Sequence, residues 1–431
     1  MKRFGITAMA LALLLLAGTA GAAEQAPAET TAAAEEEVVT VTAEMMIPQD
    51  EISFLVMEDS QLHSLLSLDQ EKIGVQFRVD RINTEKTVAM LEGLNGKELA
   101  TVEYAGVGDQ VQALYDREVD AILFSETYRQ MIEEEYPELE DETRVVYTFG
   151  FDILAEDEEV AEETSVDFSV DPFIVYFSGI DAYGTTAARG RSDVNIMAVV
   201  NPSTRQILLV STPRDYYVEL PVAGNAMDKL THAGVYGVEA SMETLEYLYD
   251  VDINYYVRVN FSGFMQIIDA LEGVDVYSSQ AFTGEVYGVH FDKGMNHVNG
   301  REALSFVRER HSFSNGDDQR QENQLAMVKA VMDKVMSPSI LMNYTRLLDS
   351  IPKAFNTGMT YDELTGMLSV YLFGGDWNVK TYRVTGEGAR RTTYSMGSRS
   401  LYVELQNDAS IAKAKELMGI VRDGGILPDA E

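Results

Sequence analysis

Two hydrophobic rhythms alternate along this chain. The short apolar runs in GVQFRV, ELATVEYAG and DAILFS predict strands. Between them, TEKTVAMLEGL and GDQVQALYDREV carry apolar residues at helical spacing, which predicts helices. Strands alternating with helices over about residues 51–150 imply a small α/β accessory domain with a partly parallel sheet.

The same alternation resumes further on. DPFIVYFSGID, SDVNIMAVVN and RQILLVST predict strands, the last two joined by an Asn-Pro turn. VEASMETLEYLYDV, SGFMQIIDALEGV, NGREALSFVRER and DQRQENQLAMVKAVMDKVM predict helices, with strand-like NYYVRVNF and VDVYSS among them. This pattern predicts an α/β/α sandwich over residues 171–376. Residues 377–431 read as a C-terminal extension packing on it, with a strand in VKTYRV and a helix around IAKAKELMGI.

Charge divides the chain in the same place. Of a formal net charge of −37, the stretch from Glu24 to Val170 holds most, with 37 acidic against 8 basic residues. Part of that acidity lies in two stretches read as linkers, 24–50 and 151–170, whose self-repulsion keeps them extended. So acidic a chain has no extended basic face, so no nucleic-acid partner is expected. The N-terminus, residues 1–23, has a basic start, an apolar run and small residues at Ala20–Ala23, the pattern of a secretory signal. The run Phe4–Ala23 is also about long enough to span a bilayer, so cleavage and retention as an anchor both stay open. Either outcome predicts an extracytoplasmic protein, secreted or held at the outer face of the cytoplasmic membrane. Cysteine is absent, which excludes disulfides, a thiol nucleophile and a lipid-modified Cys.

No P-loop, G-x-S-x-G elbow or H-E-x-x-H helix occurs, and the five histidines lack ligand-like spacing. What remains lies at strand ends and one helix start. In GIDAYGTTAARGRSD, Asp181 follows a buried strand and Arg189, Arg191 and Asp193 precede the next. Two carboxylates there suit Mg²⁺, which takes one or two carboxylates plus phosphate oxygens; a local Asp–Arg salt bridge fits the same spacing. STPRD puts Arg214 and Asp215 after the next strand, as an ordinary exposed turn also would. In the last predicted helix Asp317, Arg320 and Gln324 stand at i, i+3 and i+7 on one face, with Arg308 and Arg310 delivered by the helix before. Arginine binds phosphate through a planar fork and keeps its proton, which suits a diphosphate. A solvated helix start paired with Glu309, Asp317 and Glu322 accounts for the spacing equally well.

The order of these groups resembles the LytR–CpsA–Psr family: GIDAYGTTAARGRSDVNIMAVVN, STPRD, MDKLTHAG, YVRVNFSGFMQIIDALEGVDV, then GMNHVNGREALSFVRERHSFSNGDDQRQENQ. The resemblance covers about residues 171–335. It implies an α/β/α sandwich with an apolar groove for a lipid tail. It also implies an extracytoplasmic Mg²⁺-assisted phosphotransferase that moves a teichoic-acid-like or capsular glycopolymer from polyprenyl diphosphate to peptidoglycan, at the outer surface of the bacterial membrane.

By the same resemblance Asp181 and Asp193 are the metal-linked carboxylates, and Arg191, Arg308, Arg310 and Asp317 join them as catalytic residues. Arg189, Arg191, Arg214, Asp215, Lys229, Arg308, Arg310, Arg320 and Gln324 form the diphosphate site. Asn323 departs from the family, which usually has arginine there, and this predicts weaker anion binding at that corner. A polyprenyl-diphosphate hydrolase and a non-catalytic lipid-diphosphate-binding regulator are the rival readings. The N-terminal domain is similar to the accessory domain of some members.

Overall fold

The computed structural model describes residues 49–428 except 67, 153–165, 181–188, 315, 336–354, 361–362, 365 and 368–376. The signal or anchor and nearly all of the first acidic linker, most of the second linker, and Asp181 lie outside the described residues. Among the described residues no helix is long and apolar enough to cross a membrane.

The first domain is a five-stranded mixed sheet with helices. Its elements are β1 (Gln49–Met57), β2 (Lys72–Val75), α1 (Arg81–Asn95), β3 (Ala100–Glu103), α2 (Val107–Tyr115), β4 (Ala121–Ser125), α3 (Arg129–Glu135) and β5 (Thr143–Asp152). The sheet runs β3-β2-β4-β1-β5. β2 is parallel to β3 and β4, whereas β1 is antiparallel to β4 and β5. β1 and β5, for which the hydrophobic pattern predicts no strands, supply the antiparallel half. One face of the sheet buries Ile52, Phe54 and Val56 with Leu91 of α1. The other buries Leu55, Ile122 and Phe124 with α2 and α3.

The second domain is built on β6 (Phe173–Ile180), β7 (Ser192–Asn201), β8 (Gln206–Ser211), β9 (Tyr217–Leu220), β10 (Ala226–Lys229), α4 (Val238–Tyr249), β11 (Tyr255–Val259), α5 (Phe261–Ala270), β12 (Val274–Ser278), β13 (Gly294–Val298), α6 (Gly300–Arg308), α7 (Asp317–Val335) and β14 (Phe355–Thr357). The end of the chain adds β15 (Asn378–Arg383), β16 (Gly386–Thr392), β17 (Ser400–Gln406) and α8 (Asp408–Arg422). Six strands form the central sheet in the order β14-β11-β6-β7-β8-β15.

Strand periodicity makes the layers, because successive side chains on a strand face opposite ways. Phe173, Val175 and Phe177 of β6, with Ile196, Ala198 and Leu209, pack under α5, α6 and α7. Ile174 and Tyr176, with Met197, Val199, Leu208 and Val210, pack under α4 and α8. The result is the α/β/α sandwich. Residues 377–428 are an integral part of it: β15 lies parallel to β8 through six residues as an edge of the sheet, and α8 belongs to one helical layer.

The two domains share a core. Val235, Met396 and Leu401 pack among Tyr128, Met131 and Ile132 of the first domain. Backbones meet directly at the Gly106–Gly397 contact, where a Cβ on Gly106 would lie 2.4 Å from the Gly397 nitrogen. Next to it the Val107 amide donates to the Ser395 carbonyl at 2.9 Å. A side chain at Gly106 would force these backbones apart.

Candidate active site

A cavity of about 460 Å³ opens between the central sheet and the α5–α7 layer. Phe177, Val257 and Val259 form its sheet side, and Phe264, Leu304, Val307, Met327 and Val328 its helical side. Its mouth lies where β6 ends and β7 begins, the kind of strand-end crevice at which open α/β sheets bind ligands.

Around that mouth the structure gathers Arg191, Asp193, Arg214, Arg308, Arg310, Arg320 and Gln324. They arrive from several separate elements. Arg191 and Asp193 flank the start of β7. Arg214 follows β8 behind Pro213, whose fixed φ sets the turn. Arg308 ends α6, which begins in an Asn299–Glu302 capping box. Its guanidinium lies 4.2 Å from the centre of the Phe261 ring, a cation–π contact that keeps the charge over the cavity wall. Arg320 and Gln324 share one face of α7, as their helical spacing predicts.

Arg191, Arg214 and Arg320 are each only 6–8% exposed, so their charge has to be met by acceptors within the site. Asp193 Oδ2 accepts from Arg214 Nη1 at 2.9 Å and from Arg191 Nη2 at 3.4 Å, while its Oδ1 accepts from Thr231 Oγ1 at 2.8 Å. Lys229 pairs with Asp215 at 2.9 Å, and Asp215 lies 3.6 Å from Arg214 Nε. Arg320 pairs with Asp317. Burial works against the charge on Asp193, yet Arg214 and Arg191 outweigh it and hold its carboxyl far below the ordinary range. Burial likewise opposes the Arg214 charge, but Asp193, Asp215 and Glu134 raise its pKa well above that of a free arginine. Burial, followed by repulsion from Arg214, lowers Arg320. Even so, the Nε–H groups of Arg214 and Arg320 are buried without a hydrogen-bond partner among the described residues. A buried donor left unmet costs about 1–3 kcal/mol; Arg214 Nε has the Asp215 carboxylate 3.6 Å away, whereas Arg320 Nε is the donor that calls for an acceptor.

Four expected site residues stand elsewhere. Arg189 turns away from the cavity to meet Asp80 at 3.0 Å, a fully buried carboxylate that also accepts from Ser125 and Thr127 and needs a countercharge. It lines a separate polar pocket with Glu239 and Arg258. Asp215 and Lys229 form a pair behind the mouth. Asp317 accepts from Arg320 and from Gln321 Nε2 at 3.2 Å, so it orients the cluster and does not itself line the cavity. Asn323 also points away: its Nδ2 donates to the Phe306 carbonyl at 3.2 Å and its Oδ1 accepts from Gln319. The departure from arginine at this position therefore falls in the packing between α6 and α7, outside the cavity.

Among the described residues no group of three or more His, Cys, Asp or Glu is arranged to hold a metal. Asp193 nonetheless suits a Mg²⁺ that takes most of its ligands from phosphate and water. It is ionised, it lines the cavity, and three donors occupy three of the roughly four lone-pair sites of a carboxylate.

The hydrophobic pattern gave no sign of one participant. Gln130, Glu133 and Glu134 of α3, in the first domain, also line the mouth. Glu134 accepts from Arg214 Nη2 at 3.0 Å through Oε1 and pairs with Arg191 through Oε2. Burial opposes its charge, yet Arg214, Arg191 and Lys229 bring its pKa down to about 2.

Residues 146–414 match the family model described as the LytR_cpsA_psr family. Two relatives are named polyisoprenyl-teichoic acid–peptidoglycan teichoic acid transferase TagU. The protein from Oceanobacillus iheyensis is 37% identical over 207 residues, 46% of this chain and 63% of its own length. That of Bacillus cereus is 38% identical over 216 residues, covering 50% of this chain and 69% of its own. The chain thus spans somewhat less than two thirds of the first of them. Among solved structures, the crystal structure of B. subtilis TagV matches 60% of this chain and 99% of its own, with a TM-score of 0.51 and 25% identity.

Proposed function

Because this chain belongs to the LytR–CpsA–Psr family, we propose that it is an extracytoplasmic phosphotransferase joining a polyprenyl-diphosphate-linked glycopolymer to peptidoglycan. The observation that carries this reading is the meeting of two unlike surfaces. Buried guanidiniums, Arg320 with its unmet donor among them, surround the mouth of an apolar cavity. A lipid tail suits the cavity, and a diphosphate suits the arginines.

In this reading Arg191, Arg214, Arg308, Arg310 and Arg320 hold the diphosphate. An acceptor hydroxyl of peptidoglycan attacks the sugar-linked phosphorus. The bond from that phosphorus to the bridging oxygen breaks, polyprenyl phosphate leaves, and the hydroxyl proton passes to a carboxylate at the mouth. Phosphoryl transfer depends mainly on positioning and charge neutralisation, which arginines supply without a protein nucleophile. Asp193, with Asp181, would hold Mg²⁺, which when bound withdraws charge from phosphate oxygens.

The test supplies a polyprenyl-diphosphate glycan, peptidoglycan and Mg²⁺ to the purified protein and looks for a covalent polymer–peptidoglycan adduct. The adduct is the expected product, and Arg308→Ala or Arg310→Ala lowers its rate about 10²-fold or more with the fold intact. Release of free glycan phosphate without adduct would identify a hydrolase, and tight lipid binding without turnover a regulator. Asp181→Ala is expected to blunt the Mg²⁺ dependence.

A further inference from the structure

Glu134 comes from the first domain, yet it occupies the centre of the second domain's anion site. Its two oxygens bridge Arg191 and Arg214, the same two guanidiniums that share Asp193. The two carboxylates are held differently. Asp193 is 15% exposed and fixed from its other side by Thr231, whereas the Glu134 side chain is 38% exposed. The helix beneath Glu134 is clamped. Its neighbour Glu135 accepts from Arg399 Nε at 3.2 Å and, through its carbonyl, from Arg399 Nη2 at 2.9 Å. Met131 and Ile132 of the same helix lie in the core shared by both domains. The backbone at Glu134 is therefore fixed, and the side chain alone is placed to leave.

We propose that α3 of the first domain completes the anion site. Glu134 is a resident stand-in for phosphate: it keeps Arg191 and Arg214 aimed at the mouth and yields them when a diphosphate enters. This rests on the diphosphate reading above. It gives the first domain a role in the site, that of setting the affinity for the donor. A phosphate bridges two guanidiniums as a carboxylate does, with more charge and more acceptor oxygens. Glu134 therefore competes at the position the phosphate needs, and it is ionised throughout the neutral range.

The test measures inorganic pyrophosphate and farnesyl diphosphate binding to the full chain by calorimetry, for wild type, Glu134→Gln, Glu134→Ala and Glu134→Asp. Removing one negative charge a few ångströms from the bound phosphate should tighten Kd about tenfold in the Gln and Ala variants. Glu134→Asp keeps the charge and should return Kd towards the wild-type value. With the full donor and acceptor, the Gln variant should show a lower KM without a higher kcat. The Ala variant carries the comparison should the Gln variant not fold. Equal or weaker binding by the uncharged variants overturns the inference, as does a loss of kcat at unchanged affinity, which would mark Glu134 as a catalytic residue. Binding by wild type and variants with one common Kd overturns this inference alone. Failure of every protein to bind either probe overturns the diphosphate reading with it.

Discussion

Replacing Glu404 by glutamine should stabilise the protein, and only on the alkaline side. Glu404 lies in β17 and is 8% exposed, with its amide bonded to the Asp215 carbonyl at 2.8 Å. Burial, reinforced by the carboxylates of Asp317 and Asp318, pushes its pKa from 4.5 up to about 7. Between those values the folded protein keeps a proton on Glu404 that the unfolded chain has lost. Stability therefore falls as the pH rises through this window. At 1.36 kcal/mol per pH unit the ceiling is about 3 kcal/mol. Water, and Arg383 paired with Asp318, screen the repulsion, which leaves about 1–2 kcal/mol. Urea denaturation followed by circular dichroism at pH 5 and pH 8 measures it. Glu404→Gln should match wild type at pH 5 and exceed it by about 1–2 kcal/mol at pH 8. The same difference at both pH values, or a loss at pH 8, would refute the reasoning.

The acidic side should behave in the opposite sense. Glu134, Asp193 and Asp215 are all held below their ordinary pKa, largely by Arg214, so their contribution is present above about pH 4. It should be lost as the pH falls towards about 2, which denaturation midpoints between pH 6 and pH 2.5 would show. Val328→Trp narrows the apolar cavity, and should weaken binding of a long polyprenyl diphosphate at least about tenfold, the worth of roughly two buried methylenes. Calorimetry with inorganic pyrophosphate should show no such loss. Asn323→Ala leaves the Phe306 carbonyl without its donor, so urea denaturation should show a cost of about 1–3 kcal/mol. Its pyrophosphate affinity should match wild type, because the side chain faces away from the cavity.

What could be read from the sequence was whatever local periodicity controls. Helical spacing alone places Arg320 and Gln324 on one face, and both reach the cavity. The strand pairs around STPRD and GRSD were readable because each is bounded by its own turn residues. β5 escaped notice because it is an edge strand with Val145 and Tyr147 exposed, so its apolar residues follow no inside–outside rule. Arg189 sits two residues from Arg191, and only the neighbouring domain, with buried Asp80 at the start of α1, separates their directions. Glu134 belongs to an acidic run that reads as solvated surface. Its partnership with Arg214 is set by how two domains dock, and no spacing within either segment encodes that.

The place of β15 beside β8 has a consequence for how the molecule comes together. Arg214 hangs from the end of β8, and the strand that closes that side of the sheet is made from one of the last segments of the chain. Until that segment arrives, β8 presents a bare ladder of amides and carbonyls, an invitation to foreign strands. Clipping the chain before Trp377 should therefore yield aggregates in place of a shortened soluble protein, since the β8 edge that leads to Arg214 stays open without its last strand.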